Sequence, residues 1–116
     1  VAEDWLARLE RLLITLAEQR RVMTYAEVAR TLVLPPPHTI HKAAELIEAL
    51  MRHHAAAGVP QLASLVVSKA RGGLPAPGYF ALLGELGLYA GPDHGPAAQA
   101  FHASAVAACF AAAARA

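Results

Sequence analysis

Arg21-Val22-Met23-Thr24-Tyr25-Ala26-Glu27-Val28-Ala29-Arg30 is the stretch on which the fold turns. Thr24 and Glu27 stand at capping-box spacing: a threonine hydroxyl can take the amide three residues on, and the glutamate can return the bond. A helix is therefore expected over Tyr25 to Leu32, burying Val28, Ala29 and Leu32. Pro35-Pro36-Pro37 stops it, since proline lacks the amide and its ring collides with the preceding turn. A third helical pattern begins at His38 or Thr39 and turns Ile40, Ala43, Ala44, Ile47, Leu50 and Met51 inward. Gly58 ends it and Pro60 keeps it from resuming. Two helices joined by a stiff elbow read as a helix-turn-helix, which can lay its second helix in a nucleic-acid groove.

Outward from that stretch, Trp5, Leu6, Leu9, Leu12, Leu13 and Leu16 recur at steps of three and four and predict an amphipathic helix over about residues 3–19. Arg20 and Arg21 fall at its end, where cations offset the helix dipole. Val22-Met23 is long enough only for a connector or a very short strand. Within 61–68, Leu62, Leu65, Val66 and Val67 predict a short buried strand. A flexible basic loop follows at 68–73, then a rigid turn at Pro75-Ala76-Pro77-Gly78 and a helix opening on Tyr79-Phe80. The last helix is expected from about Ala97 through Ala114, anchored by Phe101, Val106, Cys109 and Phe110. The expectation is one domain over 1–116, with a helix-turn-helix and wing-like core at 22–73 and a C-terminal helical extension at 77–116. Its class is α+β, mainly helical, winged-helix-like, with one short buried strand or hairpin.

Hydrophobic residues make up 56% of the 116 positions, and charged residues 16%. Lys plus Arg 10 against Asp plus Glu 9 gives net charge +1, so any nucleic-acid binding rests on a local patch and not on a global field. The single cysteine, Cys109, excludes an internal disulfide and reads as a small buried hydrophobe, consistent with a reducing cytoplasm. Residues 62–67 are too short, and the alanine-rich end too weakly hydrophobic, to be expected to span a bilayer; the start lacks the basic-then-apolar order of a signal peptide. A soluble, cytoplasmic protein without membrane contact is the expectation.

Six histidines are the other concentration of reactive groups. His38 and His41 share one side of a helix start, but His53 and His54 lie at the far end of the same helix, so no metal site and no cofactor is expected. His94 and His102 lie near Asp93 and could meet across the last turn. Ser64 and Ser68 are candidate nucleophiles, yet a Ser68-Lys69 pair without an oxyanion-hole motif reads as the end of a strand.

Thr24-Tyr25-Ala26-Glu27-Val28-Ala29, followed by a longer helix, a Val59-Pro60 turn, the Leu65-Val66-Val67 strand and a glycine-containing loop, resembles the winged-helix DNA-binding half of the alkylguanine-DNA alkyltransferases and their alkyltransferase-like relatives. The likeness spans about residues 22–73. It implies a DNA-backbone contact for Tyr25, which matches the tyrosine of the family's TYGEVA-like motif. It does not extend to alkyl transfer: where the family's Pro-Cys-His-Arg motif should fall, the chain reads Gln61-Leu62-Ala63-Ser64, and alkyl transfer needs a thiolate. The family's intercalating arginine is also absent, its place falling near Glu45. The chain likewise looks like small uncharacterised bacterial proteins with a Tyr-x-Glu-Val-Ala start and a Gly-x-Pro-x-x-Gly-aromatic-Phe end.

These readings converge on a non-catalytic nucleic-acid-binding protein. Its expected DNA or RNA contacts are Tyr25, Arg30, His38, His41 and Lys42 on the helices, and Lys69 and Arg71 on the wing-like loop. The alternative is a protein-interaction module or homodimeric scaffold on the same fold, with the glutamates of the third helix repelling phosphate and with the alanine-rich last helix and the Pro77-Gly78-Tyr79-Phe80 corner as contact surfaces.

Overall fold

A computed structural model of the chain describes residues 4–115. Asp4 accepts the Ala7 amide at 3.0 Å and opens α1, Trp5–Glu18, whose Leu9, Leu13 and Leu16 are buried. Arg20 closes it from the left-handed region, at φ 55°, and stacks its guanidinium over the Phe110 ring. Strand β1, Met23–Thr24, leads into α2, Tyr25–Leu32. The capping box is made: the Glu27 amide donates to Thr24 Oγ1 at 3.2 Å, and the Thr24 amide donates to Glu27 Oε1 at 3.0 Å. Val33 ends α2 at φ 56° with its side chain exposed, an uncomfortable conformation for a β-branched residue. After the prolines, α3 runs Thr39–Ala57 and stops at Gly58, whose φ of 68° suits a residue without Cβ.

The expected strand at 61–68 is mostly a 3-10 turn, Leu62–Leu65, and only Val66–Val67 forms a strand, β2. It pairs with β1, not with a neighbour in a hairpin. The pairing is parallel, Met23 with Val66 and Thr24 with Val67, so the α2–α3 unit is the crossover that returns the chain. A second 3-10 turn, Lys69–Arg71, precedes α4, Pro77–Glu85, which has proline in its first turn. The last helix, α5, runs Gly95–Arg115; Gly95 and Pro96, read from sequence as a turn, form its beginning. The fold is thus mainly helical α+β with a two-stranded parallel sheet.

The core gathers α1, α2, α3 and the Leu62–Leu65 turn, with Leu13, Val28, Met51, Leu65 and Leu83 near its centre. Tyr79 and Phe80 are buried there too, so the corner expected as a contact surface is core. Ile40, expected inward, is 54% exposed. By length and composition α5, with mean hydropathy 1.4, is apolar enough to cross a membrane, more so than its alanine content suggested. It lies against α1 and the Leu62–Leu65 turn through Cys109, and Phe101, Val106 and Phe110 pack partly buried beside it. A polar tie joins α1 to α3: buried His54 Nε2 meets Glu10 Oε2 at 2.7 Å.

Candidate nucleic-acid interface

The capping box fixes where α2 begins, and β1–β2 pairing fixes what it faces. Together they form a groove of about 630 Å³ between α2, the first turns of α3 and the loop after β2. Arg30 stands on the α2 wall, Lys69 on the loop wall and Ile40 on the α3 side, with Tyr25 and Val67 between them. Glu27 sits in the same groove. Its carboxyl is held below the usual range, first by the Thr24 amide, then by the Thr24 hydroxyl, and also by the nearby Arg30 and Lys69 charges. The cations therefore face one anion, already used as a cap, across a largely apolar floor.

Of the seven residues expected to contact nucleic acid, the groove brings together Tyr25, Arg30 and Lys69. His38, His41 and Lys42 lie outside its lining. His38 occupies the N-cap position of α3 at φ 58° without making a side-chain cap. His41 faces Glu45 at 3.6 Å on the exposed face. Lys42 Nζ donates to the Pro35 carbonyl at 2.7 Å, tying α3 to the proline elbow. Tyr25 is buried, and its hydroxyl accepts the Ala76 amide at 3.0 Å. Desolvation raises its pKa.

Arg71 is the largest departure from expectation. Its side chain is 19% exposed. The guanidinium donates to the Pro75 carbonyl at 2.8 Å and to the Asp93 carbonyl, lies 3.8 Å from Asp93 Oδ1, and stands over the Phe80 ring. These bonds clasp the 68–73 loop to the α4–α5 connection, so Arg71 holds the loop that presents Lys69 and does not itself reach into the groove.

The other reactive groups take separate partners. Asp93 pairs with His94 at 2.9 Å, whereas His102 Nε2 bonds the Ser64 carbonyl at 2.8 Å. Ser64 is fully buried, its hydroxyl 2.5 Å from that of Tyr79. Burial pushes the Cys109 thiol up to about 11, and it donates to the Gln61 carbonyl. No group of three or more potential metal ligands occurs among the described residues. Sequence reading missed the partners Asp93 for Arg71 and Glu10 for His54, because each joins elements whose approach no local spacing encodes. Compared with family models, with curated proteins and with solved structures, the chain gives no match.

Proposed function

We propose that the chain is a non-catalytic nucleic-acid-binding module of winged-helix type, related in plan to the DNA-binding half of the alkyltransferases. The observation that carries this reading is the groove itself: Arg30 from α2 and Lys69 from the loop after β2 flank one concave surface, with the start of α3 at its rim. Phosphates could sit against the two cations while bases lie along the apolar floor. Tyr25 serves as floor and not as a donor, because its hydroxyl is taken by Ala76. Lys42, half-buried beside the proline elbow, lies at the edge of the same helix and could add a peripheral contact. Fully buried Ser64 and a protonated Cys109 support the non-catalytic side of the reading.

The test is titration of short DNA and RNA, duplex and single-stranded, at several salt concentrations. Arg30→Glu and Lys69→Glu should each weaken binding, and neutralising either cation should reduce the slope of log affinity against log salt by about 1. No wild-type binding to any of these at low salt would discard the reading. The second reading, a protein-interaction module, is favoured by one observation: Ile40 is exposed at the edge of a mainly apolar groove. Capture of a protein partner that Ile40→Glu abolishes, without nucleic-acid affinity, would select it.

A further inference from the structure

The helix that a helix-turn-helix lays into a major groove is poorly charged for that task in this chain. α3 turns Glu45 and Glu48 to solvent, and both of its cations are engaged within the fold: Lys42 donates to the Pro35 carbonyl, and Arg52 lies 3.7 Å from Glu85. A helix seated in a major groove has phosphates along both flanks, so outward carboxylates would meet like charge there. The wing is equally thin. Arg71 is turned back to Pro75 and Asp93, which leaves Lys69 as the loop's outward cation. The two elements that would grip a duplex therefore lack the charge to do so.

The groove between them is charged differently. Arg30 and Lys69 are exposed on separate walls, and the floor between is apolar, with Tyr25 and Val67. Glu27 lies near both cations, and its carboxylate, fixed by the cap, keeps a phosphate off the floor and leaves the walls to it. The volume of about 630 Å³ admits roughly twenty non-hydrogen atoms at ~30 Å³ each, the size of one nucleotide. A base inside a duplex has both faces covered by its neighbours in the stack and cannot reach such a floor. An unpaired base can.

We infer that this groove takes a single strand of nucleic acid and not a duplex. One nucleotide lays its base on the apolar floor beside Ile40, and the phosphates on its 5′ and 3′ sides sit against Arg30 and Lys69. This rests on the nucleic-acid reading above and adds which form of the polymer the site accepts. Ile40, 54% exposed on the α3 side of the groove, covers one face of the base. Two phosphate contacts at about 0.7 each give a shallow salt dependence, a slope near −1.4 in log affinity against log salt.

The experiment measures fluorescence anisotropy of the full chain with a labelled strand of about 12 nucleotides, as DNA and as RNA, and with the same DNA strand paired to its complement. The single strand, in either chemistry, should bind at least about tenfold tighter than the duplex at equal salt, with the slope above. Ile40→Trp replaces an exposed aliphatic with a stacking surface and should tighten single-strand binding by about tenfold, with the duplex unchanged. Glu45→Lys should raise duplex affinity and leave the single strand as it was. Duplex binding equal to or tighter than single-strand binding would overturn the inference while leaving the nucleic-acid reading in place; absence of binding to every probe would discard both. A salt slope steeper than about −3, which needs more cations than the groove holds, or a single-strand affinity unmoved by both Ile40→Trp and Lys69→Glu, would place the strand elsewhere and also overturn it. So would a concentration-dependent dimer lost in Ile40→Glu, which would put a second copy of the chain in the groove.

Discussion

Two side chains expected at a phosphate are used by the fold, and each sets a measurable difference. Tyr25→Phe removes the acceptor of the Ala76 amide in a buried setting, so stability should fall by about 1–2 kcal/mol while any nucleic-acid affinity changes little. Melting curves and titrations on the one variant separate the two effects; full stability with lost affinity would return the hydroxyl to the ligand. Arg71→Ala should cost about 2 kcal/mol, since a charged donor to two carbonyls is lost. Arg71→Lys should recover little of it, because a point ammonium cannot span Pro75 and Asp93 as a planar fork does. A denaturant series would show this, and an Arg71→Ala protein as stable as wild type would mean that the clasp contributes nothing. Arg71→Glu is consequently no clean probe of phosphate binding, whereas Lys69→Glu, on an exposed side chain of the same loop, is.

At the scale of the element, α2 depends on its cap. Thr24→Ala frees the Glu27 amide and should destabilise by about 1 kcal/mol, read as a lowered Tm, with no effect attributable to a lost ligand contact. What the sequence disclosed follows the same division between local and distant causes. The capping box, the proline stop and Gly58 act within a turn of the residues they govern, so the limits of α2 and α3 were legible at nearly the right positions. The β1–β2 pairing was not, because two-residue strands carry no alternation and parallel partners are joined only through the intervening helices. Tyr79 and Phe80 illustrate a related ambiguity: next to Pro77-Gly78 they read equally well as an exposed corner or as core, and packing against the body of the protein decides it. For the candidate interface, Arg30 and Lys69 were legible as cations on suitable elements, but their meeting across one groove, and the withdrawal of Arg71 from it, depended on tertiary contacts.

For the whole molecule, the net charge is +1 at pH 7, but on acidification nine carboxylates lose their charge and six histidines gain one beside ten Lys and Arg, so general repulsion grows and particular groups add their own steps to the loss of stability. His102 reaches across from α5 to the Ser64 carbonyl, and desolvation lowers its pKa below the ordinary 6.5. A histidine whose folded pKa is depressed binds fewer protons folded than unfolded, so its contribution is present above 6.5 and is lost as pH falls below that value. Glu27 and Asp93 act in a lower window: both folded carboxyls titrate below their ordinary values of 4.5 and 3.8, so their contributions hold above those values and disappear on further acidification. The prediction is two separable declines in stability, one starting near 6.5 and one in the carboxylate range. His102→Gln keeps a donor for the Ser64 carbonyl and cannot titrate, so chemical denaturation over a pH series should show a shallower first decline and an unchanged second one. Glu27→Gln should do the reverse, because the amide retains the cap's hydrogen bond without its ionisation. A His102→Gln protein with the same slope below 6.5 as wild type would assign that decline to another group and leave the α5 contact without a role in it.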